Sequence, residues 1–97
     1  MRVEYHPAVE AELREISGYY DEKVSGLGRE FLDAFEAQIE RLVAAPDRWM
    51  IVAGEIRRCL MRRFPYIIYF RQLETGGIRI TAVKHQRRHP GYGRFRE

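Results

Sequence analysis

Two different hydrophobic periods divide this sequence near residue 55. Apolar residues between positions 7 and 46 recur at steps of three and four, as they do on one face of a helix. From Glu55 onward the pattern is typical of strands: short apolar runs rich in β-branched and aromatic residues, with alternation in the last run, at residues 78–83. Each amphipathic element has to bury its apolar side, so the pattern predicts a helical layer packed on a sheet. A chain of 97 residues can enclose one such core, and we expect residues 1–97 to form a single domain.

Two helices are expected in the first half, after a short strand at residues 2–5. The first helix opens at Pro7, because proline lacks the N–H that would be unpaired in the first turn. Gly26 interrupts the pattern, and a second helix with one apolar face follows at residues 27–42. Gly18 weakens the first helix relative to alanine, and we interpret it as a point of close approach to the second helix. The two helices are expected to form an antiparallel hairpin.

Three strands are expected in the second half, at residues 56–63, 66–72 and 78–85. Residues 47–54 are expected to be irregular, and Thr75-Gly76-Gly77 is expected to form a hairpin turn. The order β-α-α-β-β-β predicts an α+β fold, with a short N-terminal strand and an antiparallel helical hairpin packed on an antiparallel β-sheet. The sheet face away from the helices is expected to stay partly open, with several arginines pointing there.

Side-chain directions in the strand at residues 56–63 decide where its arginines lie, since neighbours in a strand point to opposite faces. We expect Leu60 to point toward the helices, which would put Arg57, Cys59 and Arg63 on the open face. Alternatively, Arg57 or Arg58 pairs with a carboxylate of the first helix. In the last strand, one face is expected to carry Ile78, Ile80 and Ala82, and the other Arg79, Thr81 and Val83.

Charge is distributed very unevenly along the chain. Residues 1–56 contain 6 Lys+Arg against 12 Asp+Glu, a balance of −6, whereas residues 57–97 contain 11 against 2, a balance of +9. Ten of the eleven late cations are arginine, the side chain that suits bidentate contacts to phosphate or carboxylate. The asymmetry favours a polyanionic or acidic partner for the second half. The alternative is that the acidic half faces the basic half inside one fold.

Several classes of protein are disfavoured by the sequence. Cys59 is the only cysteine and forms no internal disulfide, which fits a reducing compartment, and we interpret it as a packing residue. The first residues lack the apolar core of a signal peptide, and the longest apolar stretch, at residues 66–70, is too short to span a membrane. Neither a metal-binding motif nor a phosphate-cradling Gly-rich loop is present. We therefore expect a cytoplasmic protein with no metal, no small-molecule cofactor and no membrane partner.

The last fourteen residues combine one Lys, two His, four Arg and one Tyr just after the final predicted strand. Such side chains bind phosphate, transfer protons and stack on bases, which are the requirements of metal-free RNA chemistry. His85 is the natural proton carrier, and Tyr92 could stack on a base or act as an acid. Structural roles stay open: His85 could bind a backbone group, and Tyr92 could pack over the sheet. Arg94 and Arg96 are expected to form a frayed, solvated end.

Four groups of motif residues occur in order along the chain. They are Tyr5-His6-Pro7-Ala8 with Leu13 and Tyr19-Tyr20; Phe31-Leu32 with Pro46; Arg57-Arg58, Arg63-Phe64-Pro65-Tyr66 and Tyr69; and Ala82-Val83, His85, Arg87-Arg88 and Pro90. Each group alone is weakly diagnostic. Together, over nearly the whole chain, they resemble the RelE/ParE superfamily of toxins from bacterial type II toxin–antitoxin systems. The resemblance implies two helices against an antiparallel sheet.

The resemblance also implies a function and a partner. Such toxins are neutralised by a cognate antitoxin, expected here to be acidic or amphipathic, which wraps helix and strand segments around the toxin. One branch of the superfamily consists of ribosome-dependent, metal-independent endoribonucleases that cut mRNA, and another poisons DNA gyrase. For the ribonuclease branch, the resemblance assigns catalytic roles to Arg57, Arg63, Arg87 and Tyr92, with His85 nearby.

Two departures favour the ParE-like branch over the ribonuclease branch. Residues 51–54 replace the Lys-rich stretch of the ribonucleases, and Gly93 replaces an aromatic residue. The leading hypothesis is a toxin that inhibits growth by acting on a nucleic-acid machine, in the manner of a gyrase poison. The alternatives are an endoribonuclease acting on ribosome-bound mRNA and an inactive binding module. In each case the remaining cations are expected to contact nucleic acid or the target: Arg58, Arg62, Lys84, Arg88 and Arg94.

Overall fold

Two helices pack on one face of a five-stranded sheet in the computed structural model, which describes residues 2–97. The elements in chain order are β1 Val3–Tyr5, α1 Pro7–Lys23, α2 Leu27–Ala44, β2 Ile51–Ala53, β3 Ile56–Leu60, β4 Tyr66–Gln72 and β5 Ile78–His85. The predicted α+β class and helical hairpin are confirmed. The stretch predicted to be irregular contains β2 and a 3-10 turn at Pro46–Arg48, and β3 ends at Leu60 rather than at residue 63.

The main core lies between the helices and the sheet. From α2, Phe31 and Leu42 are fully buried, and from β4, Ile68 and Phe70 meet them. Burying a side chain of this size contributes about 1.5–3 kcal/mol. The apolar stripe of each helix is therefore what fixes the helical layer on the sheet.

The sheet is mixed, which corrects the prediction of a wholly antiparallel one. Its strand order is β1-β5-β4-β3-β2, and β1 runs parallel to β5 with Val3 opposite Ile78. The chain reverses direction at each connection, and an even number of reversals separates β1 from β5, so these two strands point the same way. Every other neighbouring pair in the sheet is antiparallel.

The close approach of the helices occurs at Gly28, not at Gly18. A Cβ on Gly28 would lie 2.4 Å from the Ser17 carbonyl oxygen and 2.8 Å from the Asp21 carboxylate. The Gly28 N–H also donates to Asp21 Oδ1 at 2.8 Å, which holds the start of α2 against α1. A Cβ on Gly18 would meet nothing within 4 Å. The prediction for Gly18 is therefore wrong, because that residue lies on the outer side of α1.

Strand β3 has the opposite orientation to the predicted one. Cys59 is fully buried beneath α2, whereas Leu60 is 43% exposed. The buried Gln38 amide donates to the Leu60 carbonyl at 3.0 Å and to Cys59 Sγ at 3.2 Å, so the small thiol lies where a leucine would collide with α2. Arg57 therefore lies on the helix side of the sheet and Arg58 on the other side. Burial raises the pKa of the Cys59 thiol, consistent with its predicted packing role.

A β-bulge in β5 changes which residues face the helices. Tyr69 pairs with Ala82 and Phe70 pairs with Ile80, which leaves Thr81 as the extra residue. Val83 therefore joins Ile80 in the main core, and Ala82 faces the other way. The predicted alternation placed Ala82 with Ile80 and Val83 opposite, and the bulge overturns that placement.

Glu12 of α1 binds the edge of β5 where β1 ends. β1 pairs with β5 only as far as Ile80, so backbone groups beyond that point need other partners. The Val83 N–H donates to Glu12 Oε1 at 3.0 Å. Arg96 donates to Glu12 Oε2 at 2.8 Å and to the Thr81 carbonyl at 3.2 Å. Burial alone would lower the pKa of Arg96, but hydrogen bonds within this cluster outweigh burial and raise it.

The C-terminal residues 90–97 cover the sheet face away from the helices, which was predicted to be partly open. The Tyr69 hydroxyl donates to the Pro90 carbonyl at 3.2 Å, and Arg79 donates to the Glu97 main-chain oxygen at 2.7 Å. The Arg96 side chain is 20% exposed and ion-paired, so the prediction of a frayed end is wrong for this residue.

We expect alanine substitutions at the two helical glycines to have opposite effects. Gly28→Ala should lower the free energy of unfolding by about 1–3 kcal/mol, because the new methyl collides with a backbone carbonyl. Gly18→Ala should raise it by about 0.5–1 kcal/mol, because the site is open and alanine favours the helix. Urea denaturation of both variants measures the difference. Equal effects would contradict the assignment of Gly28 as the contact point.

We expect Glu12→Ala to lower the free energy of unfolding by about 3 kcal/mol, because Arg96 and the Val83 N–H both lose a buried partner. Urea denaturation gives the energy, and amide hydrogen exchange at Val83 reports the edge of β5. Glu15→Ala, on the same helix but exposed, is the control and should change stability by about 0.5 kcal/mol or less. A Glu12→Ala loss no larger than that of the control would contradict the role of Glu12.

Candidate functional site

One end of the sheet gathers cations from two loops. Residues 61–65 join β3 to β4, and residues 86–89 follow β5 at the same end. A backbone hydrogen bond of 2.9 Å from Gln86 to the Pro65 carbonyl ties these loops together. We call this region the basic end, and its exposed cations are Arg62, Arg63, Arg87 and Arg88.

A groove of ≈ 460 Å³ opens beside the basic end, between α1 and the start of β4. Four of its side chains are aromatic or imidazole rings, and one is a carboxylate. We call it the tyrosine groove, and its lining residues are Glu15, Ile16, Tyr19, Tyr20, Pro65, Tyr66 and His85. It continues into a smaller cavity of ≈ 110 Å³, to which Arg88 and Tyr92 also contribute.

The rings of the tyrosine groove support one another edge to face. The Tyr66 ring lies 5.2 Å from the His85 ring at an interplanar angle of 80°, and Tyr20 lies 5.0 Å from Phe64 at 61°. Burial raises the pKa of both Tyr20 and Tyr66, so their phenols stay neutral and can donate hydrogen bonds. Tyr19 is 52% exposed, which leaves part of its ring available to a ligand.

His85 uses one ring nitrogen to shape the basic end. Its Nδ1 accepts a hydrogen bond of 3.0 Å from the Arg87 N–H, so the structural role left open for His85 is present. In this arrangement the proton of a neutral imidazole is on Nε2, which is left as the nitrogen that can donate to a ligand. The backbone turn fixed by this bond also holds Arg87 at the end of β5.

Tyr92 is held by its hydroxyl and by two guanidinium groups that lie over its ring. The hydroxyl donates to Glu12 Oε2 at 2.5 Å. The Arg88 guanidinium lies 4.0 Å from the centre of the ring, and the Arg96 guanidinium lies 4.8 Å from it. Tyr92 therefore packs as part of the C-terminal cover, which was the structural alternative for this residue.

Lys84 is buried and holds the same cover in place. It is only 4% exposed, and its Nζ donates to the carbonyls of His89 and Pro90 at 3.0 and 3.1 Å. The ammonium also lies 4.7 Å from the centre of the Tyr69 ring. A ligand at the surface has no access to this cation.

Arg57 and Arg63 are engaged by other parts of the protein. Arg57 Nη1 donates to the Trp49 carbonyl at 2.8 Å and to the Asp47 carbonyl at 3.2 Å. Arg63 lies at the basic end but pairs with Glu30 of α2 at 2.6 Å. Arg57 is also far from the basic end. It pairs in the sheet with Phe70, which lies four residues along β4 from Tyr66, a distance of about 13 Å at about 3.3 Å per residue.

The remaining predicted contact residues fall in two regions. Arg62 is exposed at the basic end. Arg58 lies on the sheet face away from the helices, and Arg94 lies in the C-terminal cover, where its Nε is buried without a hydrogen-bond partner. Of the five residues predicted to be catalytic, His85, Arg87 and Tyr92 share one end of the sheet with Arg63, and Arg57 does not.

Much of the charge asymmetry is used inside the fold. Ion pairs join the acidic half to the basic half at four places, with side-chain distances of 2.6–3.8 Å. These pairs are Asp47–Arg57, Glu30–Arg63, Glu4–Arg79 and Glu12–Arg96. Arg62 and Arg87 at the basic end form no ion pair within residues 2–97, and neither does Arg58 on the sheet face away from the helices.

Neither the buried contacts of Glu12 nor the existence of the tyrosine groove was predicted from the sequence. Glu12 falls on the apolar stripe of α1, between Val9 and Ile16, and an acid in such a stripe signals a buried partner. Tyr19 and Tyr20 were visible as a motif, but nothing in the sequence places them opposite His85.

Residues 2–97 contain neither a cluster of metal ligands nor a helix that could cross a membrane. No three His, Cys, Asp or Glu side chains in this part of the chain lie close enough to hold one metal ion. Neither described helix is long and apolar enough to cross a membrane.

Comparisons with known proteins place the chain in a family. No curated protein sequence matches it. A chain of the chromosomal ParDE toxin–antitoxin system from P. aeruginosa has a similar fold, with a TM-score of 0.76, 16% sequence identity and coverage of 88% of this chain and 95% of that chain. The family model described as the ParE toxin of type II toxin–antitoxin systems matches residues 3–90. This protein therefore belongs to the ParE toxin family and is a toxin of a type II toxin–antitoxin system.

Proposed function

We propose that this toxin arrests growth by binding DNA gyrase on DNA, and that the basic end is its docking surface. The observation that carries the proposal is the match of the ParE toxin model to residues 3–90. The position of the free cations supports it, because Arg62 and Arg87 are exposed at one end of the molecule. Such a cluster attracts polyanions over a distance of about 10 Å. Because DNA gyrase acts on DNA inside the cell, the proposal also implies that the toxin acts in the cytoplasm.

The endoribonuclease alternative is less well supported by the arrangement of the side chains. Metal-free cleavage requires a base, an acid and phosphate-binding cations around one phosphodiester. Arg57 is bound to the loop at Asp47 and Trp49, and the Tyr92 hydroxyl is bound to Glu12. His85 and Arg87 are the two predicted catalytic residues that remain both accessible and adjacent.

A cognate antitoxin is the partner that membership of the family implies. We expect its acidic residues to approach the exposed arginines and its apolar residues to fill a second groove, of ≈ 360 Å³, between α1 and α2. Apolar side chains line much of that groove: Val9, Leu13, Leu32 and Phe35.

Expression of this chain alone in a bacterium should stop growth, and purified protein should trap gyrase–DNA cleavage complexes. The double variant Arg62→Ala/Arg87→Ala should require at least about tenfold more protein for the same trapping, since each lost contact to phosphate or carboxylate costs roughly 1 kcal/mol. Arg2→Ala removes a cation from the other end of the sheet and should behave as the wild type.

Mapping of mRNA 5′ ends in the same cells separates the alternatives. Codon-positioned ends with no trapped gyrase would replace the proposal with the ribosome-dependent endoribonuclease. Normal growth with a folded, expressed protein would instead leave an inactive binding module.

A further inference from the structure

We propose that the tyrosine groove binds an unpaired base of single-stranded DNA, while the cations of the basic end bind the phosphates beside it. This inference deepens the proposed function, because it rests on DNA being the nucleic acid that the toxin meets. It assigns to the toxin a direct contact with DNA, in addition to any contact with the target protein.

The size and lining of the groove suit a flat, partly polar ring. Its ≈ 460 Å³ falls within the range of ligand pockets, about 300–1,000 Å³. Tyr19 presents an exposed ring, and the Tyr66–His85 ring pair lines the same groove. Aromatic side chains of this kind bind bases by stacking, which requires bases that are not paired in a duplex.

The charges around the groove favour different positions for the base and for its phosphates. Glu15 is the one acidic side chain that lines the groove, so a phosphate inside would be repelled. Neither arginine that follows His85 lines the groove itself: the Arg87 backbone N–H is bonded to His85, which does line it, and Arg88 lines the adjoining cavity. Lys23 also approaches, with its Nζ 5.1 Å from the centre of the Tyr19 ring.

Glu15 also predicts which bases bind. A carboxylate accepts hydrogen bonds and cannot donate them, so it favours a base with an exocyclic amino group, such as cytosine, over thymine. His85 lines the same groove, and its Nε2 supplies a hydrogen-bond donor there. An acidic protein segment is disfavoured in the groove by the same carboxylate, although it could reach the cations outside.

Binding of fluorescein-labelled octadeoxycytidylate, followed by fluorescence anisotropy of the purified protein, tests the proposal. We expect affinity to fall with salt with a slope of about −2 in log–log form, as for three phosphate contacts at about −0.7 each. Tyr19→Ala should weaken binding about tenfold without changing the slope, because it removes stacking alone. Arg87→Ala should make the slope shallower by about 0.7.

Matched controls remove a similar side chain elsewhere. Phe95→Ala deletes an exposed aromatic ring next to the β2–β3 turn, and Arg2→Ala deletes a cation at the far end of the sheet. Both should bind as the wild type. Octathymidylate should bind several-fold more weakly than octadeoxycytidylate, and Glu15→Gln should reduce that preference. Circular dichroism confirms that each variant is folded.

Four results would overturn the proposal: wild-type affinity in Tyr19→Ala, equally tight binding of a duplex, tighter binding of octacytidylate RNA, or equal competition by polyglutamate. The last result would mean that the protein binds polyanions by charge alone and that the tyrosine groove does not bind a base. A gyrase supercoiling assay on the same variants keeps the two proposals distinct. Gyrase inhibition without DNA binding overturns only this inference, and DNA binding without gyrase inhibition overturns only the proposed function.

Discussion

The carboxylate of Glu12 connects three parts of the protein: helix α1, the edge of strand β5 and the C-terminal cover. It comes from α1, accepts the Val83 N–H at the edge of β5, and accepts hydrogen bonds from Tyr92 and Arg96 of the C-terminal cover. β1 is too short to pair with the whole of β5, so the remaining edge needs a partner from elsewhere. A buried acid is tolerable here because each of its oxygens is hydrogen-bonded and its charge is matched. Lys84, Tyr69 and Arg79 bind main-chain oxygens of the same C-terminal segment, and Glu12 adds the contact that joins the cover to α1.

Most of the architecture could be predicted from the sequence because it follows from local pattern. The change of period near residue 55, Pro7 and Gly26 are sufficient for two helices followed by strands. The errors concern features that the local pattern does not contain. The bulge at Thr81 depends on the pairing of β5 with β4 and on the hydrogen bond from the Val83 N–H to Glu12. Cys59 points inward because Gln38 lies above it. The bulge and the direction of Cys59 are both determined by tertiary contacts, which cannot be predicted from the local sequence.

The candidate site was predictable in composition and not in geometry. The basic character of the second half could be inferred from the residues themselves, and so could the proximity of His85 and Arg87 at the end of the last strand. Which cations are free could not, because an arginine paired inside the fold, such as Arg57 or Arg96, looks the same in sequence as an exposed one. Nor could the tyrosine groove, which forms only when α1 crosses the start of β4 beside the end of β5.

The ion pairs between the acidic and basic halves have a consequence for how the chain folds. The helical hairpin is built from local contacts and is acidic, so it can form early and present a negative surface. The strands that must assemble against it carry the opposite charge, and long-range attraction speeds their encounter before any pair is made. Salt screens that attraction within about 8–10 Å. High ionic strength should therefore slow the folding reaction more than it weakens the packed core. An exposed pair such as Glu30–Arg63, unlike the buried Glu12–Arg96 pair, acts on the route to the native state more than on its final free energy.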